Sequence, residues 1–277
     1  MPPGAAPRLS VMMITGNVIE RSPGRAIFER ALQSVAWADE LVIVDSASSD
    51  ATREVAARYT ERIYVHPYRN SLKQQKVIAL QYVTGDWVLW ADADEVLPPA
   101  LIAEIQAAVR RAEPLAYRLP RQHIFLDRAL DHVGDDAPLR LWRRGVGEWG
   151  GPENDEIYVV AGPVGRMHTP LEHYSSPTLA LRLEKIAFFA SAHAASRPLP
   201  PVASYSLRDA WRWIFKPAAQ QFYGAYWLQR GYKDGVRGLV WATLCAIAEF
   251  YTGILVWERA EADARAATAE PISHGGA

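Results

Sequence analysis

Two carboxylates, Asp92 and Asp94, directly follow a short apolar run and are the side chains in this sequence best suited to chemistry. Residues 87–91 predict a buried strand, and the acidic residues begin where that strand is expected to end. Because side chains alternate along a strand, Asp92 and Asp94 are expected on the same face. Two oxygen ligands that leave positions free for water and phosphate are typical of Mg2+ or Mn2+. The alternative is an acidic turn that caps the helix opened by Pro98.

The phosphates of such a ligand need further positive charge. No glycine-rich motif of the dinucleotide-binding or P-loop type follows any predicted strand. Basic side chains are therefore expected to assist the metal, and the candidates are Lys73, Lys76, Arg140, Arg143 and Arg144. For the two lysines the alternative is a solvated helix surface.

A loop at residues 150–156 brings together three carboxylates, from Glu153, Asp155 and Glu156. A general base must lie at the edge of a substrate, and a polar loop places a carboxylate there. The loop therefore predicts a candidate base, with a solvated acidic loop as the alternative.

The elements that must position these side chains alternate between strand and helix. This alternation predicts an α/β fold with a mainly parallel sheet covered by helices on both faces. Ligands then bind outside the carboxyl ends of the strands, where Thr15, Asp45, His66 and Asp92 all fall. The predicted strands are 9–14, 41–44, 62–66 and 87–91, and the predicted helices between them are 22–35, 50–59 and 72–83.

Beyond residue 111 the alternation is lost. Short strand-like segments at 117–119, 139–142 and 157–160 are separated by polar loops rich in glycine and proline. This change of pattern predicts the acceptor side of an enzyme.

The composition excludes several classes of protein. The 30 basic and 31 acidic residues leave a net charge of -1, so no overall field attracts nucleic acid. Cys245 is the single cysteine, which excludes an intrachain disulfide and a multi-cysteine metal site. Residues 1–8 lack the basic and apolar regions of a secretory signal, so we expect the protein to stay inside the cell.

The last third of the chain is rich in aromatic residues. From Trp211 onward, Trp and Tyr are interleaved with Arg and Lys, a mixture typical of the membrane headgroup layer. Residues 238–257 carry one charge, Glu249, and are long enough to span a bilayer. A carboxylate at mid-membrane costs about 2.5 to 3.5 kcal/mol, so the sequence favours a helix that lies in the interface or packs against its neighbours. The alternatives are a true membrane span and an interface with a second copy of the chain.

A series of short motifs occurs along the chain in a characteristic order. In this order the sequence resembles the family 2 glycosyltransferases of the GT-A fold, with most similarity to the lipopolysaccharide core glucosyltransferases of the WaaE/KdtX type. The resemblance covers about residues 8–258. The motifs lie at 9–15, 37–46, 48–52, 75–76, 84–87, 91–95, 139–143, 162–166, 173–175 and 232–238.

The resemblance implies an inverting, metal-dependent transfer of a hexose, with UDP-glucose as donor and a lipid-linked glycan such as the lipopolysaccharide inner core as acceptor. It implies that Thr15 and Asp45 contact the uridine, and that Asp92 faces the ribose or the metal. It further implies that Asp94 binds the Mg2+ or Mn2+ that holds the diphosphate, and that Glu156 is the base.

The chain departs from the family pattern at two places. The loop after the first strand, residues 16–24, is longer than the usual path into the first helix. The family tends to carry His-Glu where this chain has Asp155 and Glu156, so Asp155 is the alternative base.

These inferences predict a GT-A catalytic domain over residues 1–200, with a nucleotide-sugar half at 8–112 and an acceptor half at 113–200. A helical membrane-interface region at 201–258 and a tail at 259–277 follow. The expected location is the cytoplasmic face of the bacterial inner membrane, as a peripheral or monotopic protein held through 211–257. The alternatives are a transferase acting on capsule or exopolysaccharide intermediates, a nucleotidyltransferase, and a non-catalytic module that binds nucleotide sugars.

Overall fold

The protein divides into two units, residues 1–182 and 183–277. The structure is a computed structural model, and it describes residues 6–21, 24–111, 113–134, 136–151, 157–200 and 206–268. The division lies within the helix Leu179–Ser196, ahead of the boundary predicted at residue 200.

The first half of unit 1 alternates between strands and helices as predicted. Each of the four predicted strands is present, with ends that differ by at most one residue. The second helix is shorter than predicted, because it ends at Ala56 rather than near Tyr59. The elements are β1 (Leu9–Thr15), α1 (Arg25–Val35), β2 (Glu40–Asp45), α2 (Thr52–Ala56), β3 (Ile63–Val65), α3 (Leu72–Tyr82), β4 (Trp87–Trp90), β5 (Glu95–Val96) and α4 (Pro99–Ala108).

The second half of unit 1 consists of short strands. Sequence reasoning predicted only β6, β9 and β11 among them, because the others are short and carry mixed polar residues without an apolar repeat. The elements are β6 (Ala116–Arg118), β7 (Arg121–Phe125), β8 (Arg128–Leu130), β9 (Leu139–Arg143), β10 (Gly147–Gly150), β11 (Ile157–Val160), β12 (Val164–Arg166), β13 (Leu171–Ser176) and α5 (Leu179–Ser196).

The main sheet has seven strands in the order β12-β6-β9-β4-β1-β2-β3. Strands β4, β1, β2 and β3 are parallel, so their carboxyl ends lie along one edge of the sheet. Strand β9 runs antiparallel to β4 and thereby brings its amino end to that same edge. A second sheet has the order β5-β13-β7-β8, and β10 pairs with β11 in a separate hairpin.

Helices cover both faces of the main sheet, as predicted. Val11 of β1 belongs to a buried cluster with Phe28 of α1 and Ile105 of α4. Its neighbour Met12 belongs to a second buried cluster with Val83, which follows α3. Neighbouring residues of one strand therefore face separate cores, which explains why the strand is apolar throughout.

Unit 2 is helical. It continues α5 and then contains α6 (Leu207–Ala210), a π-helical turn Trp211–Phe215, α7 (Lys216–Tyr223), a π-helical turn Gly224–Leu228, a 3-10 turn Gly231–Asp234 and α8 (Gly235–Thr268). Helix α8 packs closely on the first π-helical turn, since a side chain at Gly253 would lie 3.1 Å from the Trp213 carbonyl oxygen. The segment Gly231–Ala266 is long and apolar enough to cross a membrane by length and composition.

An ion pair neutralises the charge in the middle of α8. The guanidinium of Arg197 donates two hydrogen bonds to the Glu249 carboxylate, at 2.6 and 2.9 Å. Glu249 is thus paired with a cation of its own unit.

Candidate active site

Thr15 and Asp45 lie next to each other at the carboxyl ends of β1 and β2, where their Cα positions are in register. The Thr15 hydroxyl donates to Asp45 Oδ2 at 2.8 Å. Ser48 donates to the same carboxylate through its backbone N–H and its hydroxyl, at 2.7 and 2.6 Å. Asp45 has no exposed surface, so in this conformation it orders the loop that follows β2.

Asp50 holds the long loop after β1. Its carboxylate accepts hydrogen bonds from the backbone N–H groups of Ile19 and Glu20, at 3.0 Å each, and of Thr52, at 2.9 Å. Burial alone would raise the pKa of Asp50, but the bonds from Thr52, Glu20 and Ile19 outweigh it and lower the pKa. The loop that departs from the family pattern is therefore tied to the β2–α2 turn.

Asp50→Ala is expected to reduce the free energy of unfolding by about 2 kcal/mol at pH 7, because three backbone donors lose a charged acceptor. Because the folded-state pKa is lowered, this contribution is present above the usual value of 3.8 and is lost as the pH falls through the folded value. Urea unfolding at pH 7 and pH 3 measures both effects. Glu54→Ala is the control, since exposed Glu54 forms a surface ion pair with Arg58, worth less than about 1 kcal/mol.

The acidic residues after β4 form a tight turn rather than the end of a strand. The strand ends at Trp90, and the N–H of Glu95 donates to the Asp92 carbonyl oxygen at 3.0 Å. The prediction that Asp92 and Asp94 share a strand face was therefore wrong. The turn does not cap α4 either, because the N-cap residue of that helix is Pro98, without a side-chain cap.

Both oxygens of Asp92 accept hydrogen bonds from within the protein. The indole N–H of Trp90 donates to Oδ1 at 2.7 Å, and Arg140 Nη2 donates to Oδ2 at 2.6 Å. Arg140 comes to this position because β9 runs antiparallel to β4. The Asp92 carboxylate is therefore held in one orientation beside the exposed edge of the sheet.

Asp94 lies beside His173, which comes from a distant part of the chain. His173 is in register with Glu95 in the antiparallel pairing of β13 and β5, and the Tyr174 N–H donates to the Asp94 carbonyl oxygen at 2.8 Å. His173 Nε2 is 3.6 Å from Asp94 Oδ1, and each side chain is 14% exposed. A carboxylate oxygen and an imidazole nitrogen thus converge at the end of β4.

This pair fits a divalent metal that also binds a substrate. Oxygen and imidazole are ligands for Mn2+ and related ions, and two protein ligands leave the remaining positions for phosphate and water. In the described part of the chain, no group of three or more His, Cys, Asp or Glu side chains could hold a metal. Sequence reasoning had not assigned His173 to the site, because β13 shows no strand periodicity that would place it.

Glu95 is fully buried beneath the turn and pairs with two arginines. Its carboxylate accepts from Arg140 Nη2 at 2.7 Å and from Arg121 Nε at 2.9 Å. Burial raises the pKa of Glu95 to about 7, while the charge of Arg121 opposes this shift. Arg121 also donates to Asp136 at 3.2 Å, so the network continues along β7.

The basic residues occupy different places from those predicted. Arg140 has no exposed surface and binds Asp92 and Glu95, so it supports the acidic turn and does not reach a phosphate directly. Arg143 is in register with Trp87, at the opposite end of β4, and is therefore removed from the candidate site. Lys76 is buried rather than part of a solvated surface, and its ammonium lies 3.4 Å from the centroid of the Trp90 ring.

The candidate bases Asp155 and Glu156 lie outside the described residues. The strands on either side of their loop are described, and Gly150 of β10 pairs with Ile157 of β11. Trp149 contacts Trp90 edge-on at 5.1 Å, so the hairpin is anchored next to the end of β4.

A mainly parallel sheet with an acidic turn after its fourth strand is the arrangement of the GT-A fold. The chain belongs to glycosyl transferase family 2, whose profile matches residues 10–160. The fold class, the family and the enzyme class predicted from the sequence are therefore confirmed.

Curated relatives and solved structures agree with this assignment. The chain is 26% identical over 261 residues to the lipopolysaccharide core biosynthesis glycosyltransferase LpsC of Rhizobium meliloti, covering 90% of this chain and 94% of that one. It is 24% identical over 267 residues to an uncharacterized glycosyltransferase of Rickettsia conorii, covering 88% and 87%. The fold is similar to a mannosyltransferase of Pyrobaculum calidifontis in complex with GDP-mannose and Mn2+, with a TM-score of 0.51, 17% identity and coverage of 94% and 89%.

Proposed function

We propose that this enzyme transfers a hexose, glucose from UDP-glucose, with inversion onto a lipid-linked glycan of the lipopolysaccharide inner-core type. The observation that carries the proposal is the convergence of Asp94 and His173 at the carboxyl edge of the sheet, beside the held carboxylate of Asp92. The similarity to a lipopolysaccharide core glycosyltransferase over most of both chains supports the class of acceptor.

In this proposal Asp94 and His173 hold Mg2+ or Mn2+. An ion bound there would offset the negative charge that develops on the departing diphosphate. Asp92 contacts the ribose or the metal, and its fixed orientation favours either role. The Pyrobaculum calidifontis relative of similar fold was solved with Mn2+ and a nucleotide sugar, which supports the same ligand class here.

We assign the remaining roles in binding and catalysis from the residues at the strand ends and in the 150–156 loop. The β1 and β2 ends, with Thr15 and Asp45, form the uridine side of the site, and Lys76 adds positive charge on the diphosphate side. Glu156 takes the proton of the acceptor hydroxyl, with Asp155 as the alternative base. A carboxylate in that role allows transfer in a single displacement, which inverts the anomeric configuration.

A thermal unfolding screen of nucleotide sugars tests the donor assignment. UDP-glucose with Mn2+ is expected to raise the midpoint temperature of the unaltered protein, because a ligand that binds only the folded state stabilises it. Asp94→Ala should lose this effect. Stabilisation by nucleoside triphosphates instead of nucleotide sugars would favour a nucleotidyltransferase and contradict the proposal.

The proposed acceptor is lipid-linked, so the enzyme must work at a membrane surface. Unit 2 exposes large apolar side chains, including Trp211 at 59% and Trp227 at 53%. Basic residues lie among them in the sequence, at Arg208, Arg212, Lys216, Arg230 and Lys233. We place this unit on the cytoplasmic face of the inner membrane. Burial of its apolar side chains and attraction of its basic residues to anionic headgroups would both strengthen binding there.

Trp211→Glu combined with Trp227→Glu is expected to weaken binding to anionic vesicles about tenfold or more, because each change replaces an interfacial aromatic with a repelled charge. Sedimentation with vesicles measures the effect, and both residues are exposed enough to be replaced without unfolding the unit. Gln220→Glu combined with Gln229→Glu is the matched control, which adds the same charge without removing an aromatic ring. Unaltered protein that does not bind such vesicles would contradict the membrane assignment and favour an oligomer interface.

A further inference from the structure

Trp90 is the last residue of β4 and connects the acidic turn to two cations. It is 7% exposed, and its indole N–H donates to Asp92 Oδ1 at 2.7 Å. The Lys76 ammonium and the Arg140 guanidinium carbon each lie 3.4 Å from the centroid of its ring. Two groups at that distance would overlap on one face, so they occupy opposite faces of the indole.

The two carboxylate oxygens of Asp92 each accept a hydrogen bond from a different side chain. Each carboxylate oxygen has two lone pairs, and Trp90 and Arg140 occupy one on each oxygen from the protein side. Arg121 Nη2 also lies 3.7 Å from Oδ2. The Asp92 side chain is 27% exposed, so a ligand can approach the carboxylate from the surface. These hydrogen bonds from the protein fix the orientation of the carboxylate before a ligand binds.

The indole also fixes the two cations. A cation over the face of an aromatic ring is attracted to that ring, and Trp is the best of the aromatic rings for this contact. The edge of Trp149, at 5.1 Å, holds the Trp90 ring in place, and Trp149 lies 5.7 Å from the Lys76 ammonium. One side chain therefore sets the positions of an anion and two cations beside the candidate metal pair.

We propose that Trp90 is a positioning residue for donor binding, which acts by orienting Asp92 and by holding Lys76 and Arg140 on its two faces. This inference rests on the proposed function, because it assigns the ligand that meets Asp92 to the nucleotide part of the donor. Preorganised groups lose less entropy on binding, so the effect is expected in donor affinity.

Trp90→Phe tests the inference, because it keeps a ring between the cations and removes the N–H donor. The dissociation constant of UDP in the presence of Mn2+, measured by calorimetry, is expected to rise about tenfold, as for the loss of a hydrogen bond to a charged group. Trp142→Phe is the matched control. Trp142 is fully buried, and its indole N–H makes no hydrogen bond to any residue that the structure describes. The control should change the dissociation constant less than about twofold.

A double-mutant cycle separates positioning from general packing. If Trp90 acts through Asp92, Trp90→Phe should cause little further loss of UDP affinity in the Asp92→Ala background. Additive losses would show that the two residues act independently and would overturn the inference. Thermal unfolding of each variant identifies any loss of folded protein.

The outcomes also distinguish this inference from the proposed function. One outcome is that the unaltered protein binds UDP with Mn2+ while Trp90→Phe and Trp142→Phe bind UDP as tightly as it does. In that case the positioning role proposed for Trp90 is wrong and the donor assignment stands. If the unaltered protein binds neither UDP nor UDP-glucose with Mn2+, the donor assignment is wrong and this inference falls with it.

Discussion

Asp94→Ala is expected to abolish sugar transfer, with turnover reduced about a thousandfold or more, equivalent to about 4 kcal/mol of transition-state stabilisation. Asp94 and His173 are the oxygen and nitrogen donors that meet at the end of β4, and without the carboxylate the diphosphate would lose its compensating cation. Release of UDP from UDP-glucose, followed across a Mn2+ titration, measures the loss. His173→Ala should weaken the response to Mn2+ in the same direction.

The matched control for Asp94 is Asp86→Asn, because Asp86 immediately precedes the same strand at its other end. There its carboxylate accepts a hydrogen bond from the Arg8 N–H at 2.9 Å. This variant should retain turnover and metal dependence. An Asp94→Ala enzyme with near-normal turnover and unchanged dependence on Mn2+ would show that the metal pair has been misassigned.

Glu156→Gln is expected to lower turnover by about 100- to 10,000-fold, or about 3 to 5 kcal/mol, because a general base removes the acceptor proton in the transition state. The amide keeps the shape of the side chain but cannot accept that proton. Binding of UDP with Mn2+ should stay unchanged, since the base acts on the acceptor. Turnover and UDP affinity are measured on the same preparation.

Asp155→Asn and Glu153→Gln complete this test within one loop. Glu153→Gln is the control, because it removes a carboxylate of the same loop that the family pattern does not assign to the base. A full loss in Asp155→Asn with normal turnover in Glu156→Gln would transfer the role to Asp155. Normal turnover in all three variants would exclude the loop as the source of the base.

Much of the first half of unit 1 could be predicted from the sequence because its signals are local. Strands β1, β2 and β4 are buried on both faces and therefore appear as continuous apolar runs with sharp ends. The carboxyl ends of parallel strands lie along one edge, which is why Thr15 and Asp45 could be placed together before the structure was known. Several motifs of the family resemblance lie in these same segments.

The strands of the other half gave weak sequence signals, because they are short and alternate irregularly. Strand β13 carries His173 within a largely polar sequence, and only its pairing with β5 brings the imidazole to Asp94. No periodicity along the chain reports such a pairing. The second ligand of the candidate metal site was therefore decided by tertiary structure.

Strand pairing also decides where the two arginines of β9 lie. Arg140 and Arg143 belong to one strand and look equally suited to binding phosphate, yet the antiparallel register puts Arg143 opposite Trp87 at the far end of β4. Arg140 instead meets Asp92, 48 residues away in the chain, and is buried against it. The sequence by itself determined which carboxylates follow the strand, because the end of an apolar run is a local pattern. Only the tertiary structure decided which cations reach them, because strand register depends on packing between segments distant in the chain.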